Sequence, residues 1–121
     1  MQYHVKKSQD KQRVLVFTVP DYNTFSFEIG ENGLRNDVLG KYFSETKVNG
    51  AMDAALKFIE TDGKINVGDK VFVKKANAGI GTDGIVTFVQ ECNPPLFFVN
   101  DWNEGVFETE LYKIYSDENQ G

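Results

Sequence analysis

Hydrophobic residues along this chain fall first into strand-like runs, then into helical stripes, then into strands again. Gln2–Lys7 reads as a short strand and 8–12 as a polar turn. In Arg13–Val19 the residues Val14, Leu15, Val16, Phe17 and Val19 leave almost no polar face, and a strand apolar on both sides is normally covered on both sides. Pro20-Asp21-Tyr22-Asn23 is a turn, because proline fixes φ while Asp and Asn bond back to their own backbone. Over 24–29, Phe25, Phe27 and Ile29 alternate with Thr24, Ser26 and Glu28, which predicts a hairpin strand with one wet side.

The period changes after a glycine break at 30–33. Asn32 reads as an N-cap, and Leu34, Val38, Leu39, Tyr42 and Phe43 fall on one helical stripe. Gly40 weakens that helix by about 1 kcal/mol relative to alanine. A second helix is predicted over 50–60, capped by Asn49, with Met52, Ala55, Leu56 and Ile59 on one face and Asp53 near the positive end. Gly63 is the expected left-handed residue that ends it. Two strands alone are marginal in water, so residues 1–63 need the rest of the chain or a second copy of themselves.

From Lys64 onward the strands return, at 70–75, 84–91, 96–100, 106–108 and 112–115. A glycine-rich loop covers 76–83, Cys92-Asn93-Pro94-Pro95 makes a second loop and Asp101 to Gly105 a short turn. Thr109-Glu110-Leu111 leaves room for about one turn of 3₁₀-helix. The run Val67-Gly68-Asp69-Lys70-Val71-Phe72-Val73, then Gly84-Ile85-Val86, then Phe98-Val99-Asn100-Asp101-Trp102 with Gly105-Val106-Phe107, then Glu110-Leu111, resembles the SH3-like small barrels of the KOW and Tudor type. The resemblance covers residues 65–115. It implies five short strands joined by one long loop, two hairpin turns and a 3₁₀ turn. It also implies that ligands dock at the long-loop and hairpin-turn end, where such barrels take peptides, modified lysines or RNA. The chain departs from the RNA-binding members in lacking their basic rim, and its aromatic residues assemble no evident methyl-lysine cage. The predicted class is therefore α+β: an N-terminal β-hairpin plus two helices over 1–63, and a C-terminal SH3-like five-stranded β-barrel over 64–121.

Composition adds charge to this picture. Hydrophobic content of 40% with ten Phe suffices for a core, so a wholly disordered chain is not expected. There are 13 basic and 18 acidic residues, and the excess lies in the C-terminal half. It is sharpest between Asp101 and Glu118, where Asp101, Glu104, Glu108, Glu110, Asp117 and Glu118 face only Lys113. Such a surface repels phosphate backbones and anionic lipid and attracts basic protein faces. Cys92 is the only cysteine, which forbids an intramolecular disulfide and suits a reducing compartment. Residues 1–7 carry no apolar run of the signal-peptide kind and no stretch has the length of a membrane span, so a cytoplasmic location is expected.

Candidate chemistry is sparse. Gly79-Ile80-Gly81-Thr82-Asp83-Gly84 matches a dinucleotide-binding spacing, but a strand follows it where a helix N-terminus is needed. Asp101, Asn103 and Gly105 begin like a calcium loop, yet Tyr112 stands where the closing glutamate belongs. Cys92 and His4 form no recognisable catalytic or metal-binding cluster, and Glu108 with Glu110 reads as solvated charge. No cofactor, no metal and no enzymatic activity are expected. Trp102, at a turn tip among carboxylates, is the residue that stands out, because aromatic side chains concentrate at the energetic centres of interfaces. The alternative is that its ring folds back over the open barrel end.

These features favour a non-catalytic acidic protein-binding module, of the inhibitor, immunity or phage counter-defence kind, that occupies a basic face of its target. Its predicted contact residues are Trp102, Asp101, Glu104, Phe107, Glu108, Glu110 and Tyr112. One alternative is a small-ligand or nucleotide binder acting as a homo-oligomer, resting on Lys74, Lys75 and the glycine-rich loop. The other is a KOW-like RNA-binding domain, against which the charge balance argues.

Overall fold

The computed structural model describes residues 1–8, 10–20, 23–30, 33–35, 45–74 and 81–116. It divides the chain into two compact units, one formed by Met1–Lys64 with the chain from Tyr115 onward, the other by Ile65–Ile114. Both are built mainly of antiparallel sheet.

In the first unit β1 (Gln2–Lys7), β2 (Arg13–Val19), β3 (Thr24–Gly30) and β4 (Gly33–Arg35) form a meander in sequence order, and α1 (Glu45–Glu60) covers one face. The alternation of β1 to β3 decides which face that is. Tyr3, Val5, Val14, Val16, Phe25 and Phe27 are buried on the inner side, with Val48, Ala51, Ala55 and Phe58 of the helix. The 3-4 spacing of those four residues makes one apolar stripe. Its two alanines and Gly50 bring the helix close to the sheet, since a Cβ at Gly50 would collide with the Tyr3 hydroxyl. β2 is covered less completely than its sequence implies: Val14, Val16 and Thr18 are buried, whereas Leu15, Phe17 and Val19 are half-buried.

The second unit pairs its strands in the order β9-β5-β6-β7-β8, comprising β5 (Lys70–Val73), β6 (Thr82–Gln90), β7 (Leu96–Val99), β8 (Val106–Phe107) and β9 (Leu111–Ser116). A 3₁₀ turn at Glu108–Glu110 joins the last two, one residue before its expected place. Ile65, Val71, Val73, Val86, Phe97, Val99, Val106 and Leu111 form the core. Beside it, the Lys113 ammonium reaches Asp69 Oδ2 at 3.3 Å, and that same oxygen accepts the Asn66 N–H at 2.7 Å, fixing the turn into β5.

The structure overturns the expected α+β class: the chain is mostly sheet, with one α-helix among the described residues. The N-terminal hairpin is instead part of a four-stranded meander. Leu34 does not open a helix but pairs with Ile29, and β4 adds apolar cover that a two-stranded hairpin lacks. The rest of that predicted helix, Val38, Leu39, Gly40, Tyr42 and Phe43, lies outside the described residues, as does Asn32. The second predicted helix exists but begins five residues early, at Glu45, because Val48 extends its apolar stripe backward. Asn49 is consequently an exposed position within the helix and not its cap. Leu56, expected on the buried face, is exposed.

The helix end combines an expected feature with an unexpected one. Gly63 has φ +68°, as a left-handed residue should, but Asp62 at φ +55° is the residue that terminates the helix. Gly63 N–H donates to Phe58 O and Asp62 N–H to Ile59 O, both at 2.9 Å, the two bonds of a Schellman motif with Asp62 in its left-handed position. The closed five-stranded barrel is not observed either. Among the described residues β8 pairs with β7 alone, since it is two residues long and the 3₁₀ turn leads the chain away from it.

Candidate protein-binding face

Alternation along β7 sends Phe97 and Val99 into the core and Leu96 and Phe98 to the opposite side. β8 follows the same rule, with Val106 buried and Phe107 outward opposite Leu96. On β6 a simple alternation from the buried Val86 would carry Phe88 inside as well. It does not, because Val86 pairs with Val99 and Phe88 with the very next residue, Phe98, so that Thr87 is an extra residue, a β-bulge. The Thr87 hydroxyl lies 3.2 Å from Phe98 O and 3.0 Å from Asn100 O, which ties the bulge to β7. Phe88 is thereby turned outward beside Phe98, their ring centroids 5.7 Å apart.

The outcome is an apolar face made of Phe88, Phe98, Leu96 and Phe107. Phe88 keeps 56% and Phe107 47% of its surface exposed, more than aromatic side chains of a filled core retain. Gly105 seats Phe98: a Cβ there would stand 3.3 Å from the Phe98 ring and 2.9 Å from Leu96 Cβ. Along the stretch of chain that forms this face the charge is of one sign. Between Gly81 and Glu110 the chain has the six acidic residues Asp83, Glu91, Asp101, Glu104, Glu108 and Glu110 and no Lys, Arg or His.

The residues expected at a contact surface separate into four groups. Asp101, Glu104, Phe107 and Glu108 are exposed around β8 and the turn before it. Trp102 is half-buried and packs against the second core, and its backbone N–H donates to Val99 O at 3.1 Å. Tyr112 is on β9, opposite Phe72, with its ring edge-on to that side chain at 6.0 Å. Glu110 is half-buried and acts locally, its Oε1 accepting the Phe107 N–H at 3.0 Å. Phe88, Leu96 and Phe98 escape a reading of the sequence alone. Their available signal is that Leu96-Phe97-Phe98-Val99 is apolar on both sides.

The other sequence motifs find structural uses. Gly81 and Gly84 make room, the first for the Phe72 ring and the second for Val99, while Gly79 lies outside the described residues. The exposed Cys92 thiol lies 3.1 Å from Pro94 O, and the His4 ring is buried edge-on to Phe17 at 5.9 Å. Among the described residues no three His, Cys, Asp or Glu side chains gather as a metal site requires. No helix among them is long and apolar enough to cross a membrane.

The chain matches no family model, no curated protein and no solved structure at a significant level.

Proposed function

We propose that the chain is a non-catalytic acidic protein-binding module that covers a basic face of its target, as inhibitors, immunity proteins and counter-defence factors do. The observation that carries this reading is the pair of half-exposed rings, Phe88 and Phe107, on a stretch, 81–110, whose only charged side chains are carboxylates. Aromatic side chains supply much of the contact energy at interfaces, and a single-signed surround selects the partner and speeds encounter. The centre of the surface is Phe88, Leu96, Phe98 and Phe107, with Asp101, Glu104 and Glu108 at its rim, and Trp102 supports it from the core. The five-strand order and the 3₁₀ turn of residues 65–115 support kinship with the KOW and Tudor type. The carboxylates of this face argue against RNA as the ligand.

The test is affinity capture of the target with the full chain, followed by titration of the purified pair. Raising salt from about 0.05 to about 0.3 M weakens the complex several-fold, because exposed charges are then screened within a few ångströms. Phe88→Ala and Phe107→Ala each weaken it at least about tenfold. A complex indifferent to salt and to both substitutions refutes the reading.

A further inference from the structure

The β8 edge of the second unit's sheet, unpaired among the described residues, bears on how a partner docks. β8 is the last strand in that order, and an edge strand ordinarily invites an added strand through its outward N–H and C=O groups. Here the Phe107 N–H is already engaged by the Glu110 carboxylate at 3.0 Å, and the chain turns away at once into Glu108–Glu110. Strand addition at this edge would have to displace a charge-assisted hydrogen bond for two residues of pairing. The side-chain face of β6, β7 and β8 has no such obstacle. Four residues of β7 extend for about 13 Å, and three strands span about 10 Å, the width of one α-helix and the length of about nine of its residues.

We propose, resting on the binding-module reading above, that the partner presents a basic amphipathic helix that lies across this face. Its apolar stripe packs on Phe88, Leu96, Phe98 and Phe107. Its Lys and Arg side chains reach Glu91 at the end of β6, Glu104 before β8 and Glu108 after it, all exposed. Phosphate-bearing ligands and anionic lipid are repelled by these same carboxylates. A contact of this size belongs to the small, transient class of interfaces, with a Kd in roughly the micromolar range.

Two synthetic Leu/Lys peptides of equal length and composition test the idea. One carries leucine at helical spacing, the other alternates leucine and lysine as a strand does. Each is titrated into the isotopically labelled full chain, with amide shifts and affinity as the readouts. The helical-period peptide is expected to bind at least about tenfold tighter and to shift the amides of Phe88, Phe98 and Phe107. Phe88→Ser and Phe107→Ser are each expected to remove about tenfold of that affinity, and Glu108→Gln a smaller part. Both rings are half-exposed, so these variants are expected to fold, which circular dichroism verifies; Glu91→Gln and Glu108→Gln probe the same contact without touching the rings. In Glu110→Ala the edge is uncapped, and the alternating peptide gains affinity.

Equal or tighter binding of the alternating peptide, with the Phe107 and Glu108 amides newly protected from exchange, overturns the helix proposal and leaves the binding-module reading standing. Self-association of the chain that Phe88→Ser abolishes makes the occupant a second copy and overturns it too. Binding of neither peptide, or binding unmoved by salt and by the phenylalanine substitutions, overturns the helix proposal; the reading beneath it falls only if the complex with the captured target is indifferent to both as well.

Discussion

Gly84 offers the sharpest test of the second core, because what fills the space beside it is itself fully buried. A Cβ at this position would collide with Val99 Cγ1 and approach Asn100 Nδ2 to 2.8 Å. Val99 has nowhere to retreat: Val71, Val86, Val99 and Val106 are all at most 1% exposed. Asn100 is held as well, since its Oδ1 accepts the Ile85 N–H at 3.1 Å. Overpacking a filled core costs about 1–3 kcal/mol, and loosening the Asn100 bond about 0.5–1.5 kcal/mol. Replacing a strand glycine by alanine returns about 0.5–1 kcal/mol through the entropy of the unfolded chain. Gly84→Ala is therefore expected to cost about 2 kcal/mol on balance. Trp102 is the only tryptophan and packs against this core, so its emission follows urea unfolding of this unit. With a slope of about 1–2 kcal/mol/M, the midpoint falls by about 1–2 M. Adding Val99→Ala makes room for the new methyl, so the double variant is less destabilised than the two single losses added together. An unchanged midpoint for Gly84→Ala, or strict additivity with Val99→Ala, refutes the packing argument.

Other consequences follow from local geometry. Gly63→Ala places a Cβ 3.0 Å from the Phe58 ring at φ +68°; it is expected to cost about 1–3 kcal/mol, measured as a lower thermal midpoint by circular dichroism. The Ser8 hydroxyl, 2.6 Å from Asp10 Oδ1, and then the Gln12 N–H hold the Asp10 carboxyl below its ordinary pKa. A depressed folded value means that this carboxylate stabilises the fold above its unfolded pKa and that the contribution is lost as pH falls through the folded one. An NMR titration is expected to find Asp10 low in the native chain and nearer its ordinary value in Ser8→Ala.

How much of this was legible in the sequence varies with the kind of interaction involved. β2, β3 and the strands of the second unit were readable because alternation and turn residues are local signals, and Arg13–Val19 was bounded to the residue. The helix stripe was misplaced by about one position because the sequence shows apolar residues but not which of them the sheet below contacts; Val48 and Phe58 decide that. β4 was misread for a related reason. Leu34 suits a helical stripe as well as a strand, and only its pairing with Ile29, a tertiary fact, chooses. The interface candidates suffered from the bulge at Thr87. One extra residue reverses every side chain beyond it, and nothing in Val86-Thr87-Phe88 announces the reversal. Trp102 misled in the other direction, since turn position and acidic neighbours say nothing about whether a ring folds back onto a core.

The bulge also bears on whether the exposure of Phe88 is incidental. An aromatic ring left half in water is ordinarily removed by a small change of register, and here the ladder departs from regularity so as to keep it out. The Thr87 hydroxyl lies within hydrogen-bonding reach of two β7-side carbonyls, so the irregular register is held by specific contacts. Exposed rings beside a sheet edge invite self-association. Two features of the chain oppose it: the Phe107 N–H is occupied by Glu110, and two copies of this face would bring the carboxylates of 81–110 towards one another. Both features discourage a second copy and an added strand while leaving a positively charged, side-chain-first partner unhindered. A surface that is apolar, fixed in register and hostile to its own kind is accounted for by selective contact with a basic protein, and each of those three properties has a named residue behind it: Phe88, Thr87 and Glu110.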